Sequence, residues 1–194
     1  MEIGATKAVQ DRLKTTKIEE SKGASLVFCW DTHLTKIKGR NVLFIVNASN
    51  RYTIAMTDIE PRNWNYYTMY IRSVIHGVMQ EMGYSEEQIR QYFKMSGYTT
   101  VTKTHGRKSV GGINRMVMDA QYFGKKLEKE AKYQWELSEY LNRDICQPEG
   151  FDAYGYPSEL FKLDMERLGI ATKRKPAKVI DFAQYIENNR GTND

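Results

Sequence analysis

The segment Thr102 to Met116, TKTHGRKSVGGINRM, gathers more residues capable of chemistry than any other stretch of the chain. It sets Lys103, His105, Arg107, Lys108 and Arg115 around Gly106, Gly111 and Gly112. A β-rich run, Tyr98 to Thr102, precedes it, and a helical pattern follows. Cationic side chains, glycine-freed backbone N–H groups and a helix N-terminus together hold anions. The plain alternative is a tight turn whose glycines supply positive φ and whose Asn114 caps the next helix. Gly106-Arg-Lys-Ser109 is not a P-loop, because arginine stands between the glycine and the lysine. Gly-Gly followed by Ile-Asn is not a dinucleotide fingerprint either. An NTPase is not expected.

Asp31-Thr-His33 puts two titratable side chains on one face of a strand. With His105 and Arg107 they would furnish a small hydrolase or nuclease site, provided the fold brings them together. No HExxH or paired CxxC pattern is present, so the sequence predicts no metal and no cofactor. His76 falls within a helical pattern and reads as a packed or surface histidine. The 13 tyrosines form a third chemical group, and Trp64, Tyr66, Tyr67 and Tyr70 cluster, as do Tyr92, Phe93 and Tyr98. Such rings stack on bases or fill protein interfaces, and they also fill cores.

Charge sharpens the choice. Residues 97–132 carry eight basic and three acidic groups, a net +5 that equals the whole chain's +5. Residues 133–194 carry eight and eleven, a net −3. The excess around the glycine segment favours an anionic partner there, against the simpler reading of a solvated basic face. The 194 residues are 41% hydrophobic and 27% charged, a balance that supports a buried core. No apolar run approaches the length of a membrane span, and the first residues lack the apolar region of a secretory leader. Cys29 and Cys146 are too few and too far apart for a disulfide framework. A cytoplasmic protein is the expectation.

The elements that position these residues follow from periodicity. Residues 2–5 are a short strand, and 6–17 a helix with Thr6 as N-cap and Ala8, Val9 and Leu13 buried. Leu26 to Trp30 is an apolar run, Leu34 to Lys38 alternates, Val42 to Val46 is continuously apolar, and Arg51 to Thr57 is a further strand. With turns at 39–41 and 47–50, this is an antiparallel meander. A helix is predicted over 62–82. Ser85 opens another with Gln88 in capping-box position, and Gly97 closes it. Residues 98–104 form a strand and 105–112 a loop. Residues 113–142 form one long helix or two broken near Gly124. Residues 147–157 read as a linker, Glu159 to Leu168 as a short helix capped by Ser158, residues 173–178 as a basic strip, and 179–188 as a last helix.

This order of parts resembles a bacterial and mobile-element family, a domain of unknown function. Thr6-Lys7, Trp30 with His33-Leu34, and Leu43 to Asn47 with Arg51-Tyr-Thr53 carry the likeness. So do Lys103 to Arg107 and Ser109 to Asn114. The chain departs from the family's closing motif. Gly106 stands for an asparagine, Lys108 is inserted before the serine, and Gly112-Ile113 replace serine-methionine. The resemblance covers roughly residues 1–123 and implies a compact α+β domain. It brings no activity and no catalytic residues.

The sequence therefore predicts an α+β protein whose antiparallel sheet of four to five strands is flanked by helices. Residues 1–142 are the domain and 143–194 a helical C-terminal extension. The expected function is non-enzymatic binding of nucleic acid, or of an acidic surface on a nucleic-acid-handling protein. Lys103, His105, Arg107, Lys108, Asn114 and Arg115 would form the face, with Lys125 and Lys126 on the next helix turns. A phage- or plasmid-type accessory role, such as inhibiting a host defence nuclease, fits the size and charge. The rivals are the hydrolase using Asp31, His33 and His105, and a protein-interaction module using the aromatic tail. Oligomeric state is left open.

Overall fold

Val42 to Val46 is apolar at every position because both faces of its strand are buried. Leu43 and Ile45 belong to one core cluster, and Val42, Phe44 and Val46 to another on the opposite face. The structure, a computed structural model, describes residues 1–15 and 18–172. Within them lie five strands: β1 (Glu2–Ala5), β2 (Cys29–Ile37), β3 (Arg40–Asn47), β4 (Thr53–Thr57) and β5 (Thr100–Thr102). Their order across the sheet is β4-β3-β2-β1-β5.

The meander β2-β3-β4 is antiparallel as expected. Lys38 and Gly39 both have positive φ, at 50° and 82°, which is what a two-residue I′ hairpin turn demands. The sheet as a whole is mixed, because β1 runs parallel to both β2 and β5. The helix α1 (Lys7–Leu13) intervenes between β1 and β2, and a crossover of this kind returns the chain in the same direction. The apolar run 26–30 and the predicted strand 34–38 are continuous: a 3₁₀ turn over Leu26–Phe28 leads straight into β2.

One face of the sheet carries the larger core, with Ile3, Trp30, Leu43, Ile45 and Ile54 under α3 (Tyr67–Glu81) and α4 (Glu86–Ser96). The predicted helix 62–82 is broken at Tyr66, which separates α2 (Pro61–Asn65) from α3. The helix α4 starts on the predicted capping box. Ser85 Oγ accepts from the Gln88 N–H at 3.3 Å, and Gln88 Oε1 accepts from the Ser85 N–H at 2.9 Å. The other face carries the smaller core, covered by α5 (Gly106–Gln121) and α6 (Trp135–Asn142).

Two expectations about this second layer need correction. Residues 106–112 are not a loop; they are the first two turns of α5, so Asn114 lies inside the helix and caps nothing. The chain also leaves the helix at Tyr122, so Lys125 and Lys126 are not on its next turns. Residues 122–134 instead run beside β4. The Thr57 N–H donates to the Lys132 carbonyl at 2.7 Å and the Gln134 N–H to the Ala55 carbonyl at 2.9 Å. Ser138 Oγ and Asn142 Oδ1 accept from the Ala55 and Thr53 N–H groups. An edge strand leaves such groups unpaired, and satisfying them outweighs continuing a helix.

The last described helix, α7 (Pro157–Arg167), starts at Pro157, one residue before the predicted cap, because proline suits the first helical turn. Its Phe161 is 1% exposed and contacts the rings of Trp30, Tyr52 and Tyr84 in the larger core. The predicted basic strip 173–178 and helix 179–188 lie outside the described residues.

Candidate functional site

The smaller-core face of the sheet changes character from one edge to the other. Toward β3 and β4 it presents Val42, Phe44, Val46 and Ala55. Toward β1 the same face presents Glu2 and Gly4, paired across the parallel ladder with Cys29 and Asp31. The N-terminal end of α5 sits over this polar half, where apolar packing gives way to a network of buried charges.

His105 is the centre of the network. It is the N-cap of α5 and is 9% exposed. Its Nδ1 lies 2.7 Å from Asp31 Oδ1 and its Nε2 lies 3.0 Å from Glu2 Oε2. Both neighbours are acceptors, so both ring nitrogens carry protons and the ring is an imidazolium. Burial alone would push this proton off. Hydrogen bonds and charge from Asp31 and Cys29 outweigh burial and raise the His105 pKa to about 10. Asp31 is fully buried, accepts from the His105 backbone N–H, and accepts from Ser109 Oγ one turn into α5. Burial would raise the Glu2 carboxyl, but hydrogen bonds from Ser21, the Lys22 N–H and His105 hold it below the usual carboxylate range.

Gly4 makes this arrangement possible. A Cβ there would fall 1.8 Å from Asp31 Oδ1 and 3.0 Å from Thr104 Cα, so Asp31 can turn toward α5 only over a residue without a side chain. The result answers the sequence's strongest suggestion. The anion at the start of this helix is the protein's own Asp31, delivered from a strand more than 70 residues away.

The sequence-predicted residues therefore divide. His105 is not on the exposed face; it is sealed beneath it. Arg107, Lys108, Asn114 and Arg115 are exposed on α5. Arg107 forms no ion pair among the described residues. Lys108 reaches the Pro148 carbonyl at 3.2 Å and Glu149 at 3.9 Å, and Arg115 reaches Asp119 at 3.4 Å. Lys103 pairs with Glu20, and Lys125 with Glu136 at 2.5 Å, both away from this helix flank. Lys126 is exposed in the segment after α5.

Sequence reasoning missed Arg51. Its guanidinium crosses to α5 and donates to the Gly112 carbonyl at 2.7 Å. Gly112 leaves the space for it, since a Cβ there would meet Arg51 Cζ and Nε at 3.0 Å. Arg51, Lys108 and Arg115, with Gln147 and Glu149 opposite, line a surface cavity of about 340 Å³. Three cations around one opening make a place for anionic groups.

Of the alternative catalytic set, the fold brings together Asp31 and His105. His33 lies two residues from Asp31 along the same face of β2 but bonds neither of them among the described residues; its Nδ1 is 3.2 Å from Thr6 Oγ1, and burial lowers its pKa. Ser109 hydrogen-bonds Asp31 rather than a histidine nitrogen, so Ser109 and His105 do not form a nucleophile–base pair. Missed as well were Glu2 and Cys29, whose ligand atoms lie with that of His105 within 4.8 Å of one another. The signal for Cys29 was available: it shares the odd-numbered face of β2 with Asp31 and His33.

No helix of the described residues is long and apolar enough to cross a membrane. No curated protein and no solved structure matches the chain. A family model does match, over residues 2–160, so the likeness runs through the segment after α5 and into α7 rather than stopping near residue 123. The strands that meet at Asp31 and the helix that covers it all fall inside this span, and the chain belongs to the family described as a domain of unknown function, DUF6933.

Proposed function

We propose that this chain is a non-enzymatic, cytoplasmic binding protein that engages nucleic acid through the flank of α5. The observation that carries the reading is the gathering of Arg51, Lys108 and Arg115 around one surface cavity, with exposed Arg107 beside it. Phosphates spaced along a strand are the natural partners of such a row of cations, and the attraction does not depend on sequence. Toward the C-terminal end of this helix Met118 is 60% exposed, and Tyr122, which caps it, is 81% exposed. An exposed tyrosine offers a stacking platform for an unpaired base. The acidic surface of a nucleic-acid-handling protein presents the same charge, as an accessory factor of a mobile element that blocks a nuclease would require.

The binding reading is favoured over hydrolysis by His105. Both of its nitrogens are engaged by carboxylates, which leaves neither to take a proton from a substrate.

Fluorescence anisotropy against mixed DNA and RNA oligonucleotides at several salt concentrations tests the proposal. Affinity should fall steeply with salt, and the Arg107→Ala/Lys108→Ala pair should reduce the log–log slope by roughly two. An unchanged slope in the double variant would count against this face. No binding at low salt would leave the cations as a protein-docking surface.

A further inference from the structure

Glu2, Cys29 and His105 come from β1, β2 and the start of α5, yet their Oε, Sγ and ring-nitrogen atoms lie within 4.8 Å of one another. We propose that these three residues form a buried binding site for a transition-metal ion of the zinc class. The inference is independent of the cationic face of α5.

The donor set is one thiol, one imidazole and one carboxylate, the three protein ligands zinc accepts. Ligand bonds of about 2.0–2.3 Å in a tetrahedron place donor atoms roughly 3.3–3.8 Å apart. Nε2 of His105 and Oε2 of Glu2 are 3.0 Å apart, so ligation requires only that they part slightly while Sγ closes in. Cys29 and Glu2 are 0% and 4% exposed. Such burial protects a site from competing water.

The surroundings match what metal-bound histidines need. A ligating imidazole ordinarily donates its other N–H to a carboxylate, which fixes the ring and its tautomer. Asp31 already stands 2.7 Å from Nδ1 and is itself held by Ser109 and the His105 backbone N–H. Nε2, now bonded to Glu2 Oε2, would exchange that bond for the ion, with Glu2 as a fellow ligand. Glu2 keeps support from Ser21 and the Lys22 N–H. A separate observation points to the same place. Thr102 pairs with Gly4 on this face of the sheet, is fully buried, and its Oγ1 has no hydrogen-bond partner. An orphaned hydroxyl beside the cluster is a ready partner for the remaining, non-protein ligand of the ion.

The exchange balances. The ion replaces the proton on His105 Nε2 and the thiol proton of Cys29, both released to solvent, so two positive charges leave and two arrive. The thiol now faces the carbonyls of Ala24 and Ser25 at 3.7 and 3.5 Å and would turn from them on deprotonation. Residues 20–25 are largely exposed, and Ser21 and Lys22 of this segment bond Glu2.

Cobalt(II), which substitutes for zinc and reports thiolate ligation by a charge-transfer band in the near ultraviolet, tests the site in the full-length, chelator-treated protein. One equivalent should produce the band, zinc should abolish it, and Cys146→Ala should retain it, Cys146 being the other cysteine of the chain. Cys29→Ala should lose the band and weaken zinc by more than the roughly 10–100-fold that loss of a supporting carboxylate costs. No band in the wild type, or a band that depends on Cys146 rather than Cys29, overturns the proposal. X-ray absorption of the zinc-loaded wild type decides the matter even if Cys29→Ala fails to fold. One sulfur with nitrogen and oxygen neighbours supports the site, and a shell without sulfur overturns it.

Discussion

At the scale of single residues, His105 changes meaning between sequence and structure. In the sequence it is one cation among several in a glycine-rich, basic segment. In the fold it is a buried imidazolium bridging Asp31 and Glu2, with charge partners that raise its pKa to about 10. Linkage gives the sign of the consequence. A histidine whose folded pKa lies above its unfolded value of about 6.5 stabilises the fold fully below that value. The contribution then fades as pH rises toward 10. In chelator-treated protein, chemical denaturation should therefore show stability declining by up to a few kcal/mol across this alkaline window. His105→Gln should be less stable at pH 6 and should lack most of the decline. A wild-type profile flat from pH 6 to pH 10 would mean that the ring is not held as an imidazolium. Asp31 and Gly4 make the same point. The proximity of Asp31 to His105 depends on strand pairing and on the missing Cβ of Gly4, neither of which is written near His105.

At the scale of elements, local signals held where the chain satisfies its own needs. The α4 capping box is formed by residues three apart, so the sequence alone locates it. Ser85→Ala should cost about 1 kcal/mol, read as a shifted denaturation midpoint with unchanged m-value. Ser85→Asp should restore most of it, and a neutral Ser85→Ala would show that the box adds nothing to a helix already fixed by packing. The first hairpin was legible to within about a residue: its turn was expected at 39–41 and falls at Lys38-Gly39, which needs nothing beyond its own backbone freedom. The segment from Gly106 to Gly112 was not. Three glycines lower intrinsic helix propensity, yet α5 begins at Gly106 because Asp31 secures its first turn and Gly112 admits Arg51. Residues 122–134 fail for the opposite reason: nothing local says that an edge strand waits beside them.

At the scale of the whole molecule, the sheet carries a core on each face, and the C-terminal part of the chain contributes to the larger one. Phe161 of α7 meets Trp30, Tyr52 and Tyr84, and Met165 is fully buried in the same cluster. Phe161→Ala should destabilise by about 3–5 kcal/mol in equilibrium unfolding. A loss under about 1 kcal/mol would show that α7 is dispensable to the main core. The same packing bears on a test of the aromatic tail as an interaction module: deleting residues 147–194 removes core side chains, so point changes at exposed Tyr154 or Tyr156 are the better probe. By itself the sequence determined the α+β class, the meander and the concentration of positive charge around α5. These follow from periodicity of two or 3.6 residues, from turn chemistry and from composition, all of them local or additive. The tertiary structure alone decided that β1 runs parallel and that Arg51 joins Lys108 and Arg115. It also decided that Glu2, Cys29, Asp31 and His105 share one buried cluster. Those facts rest on register and crossover between segments far apart in the chain, and spacing along a sequence carries no record of which distant residues will pair.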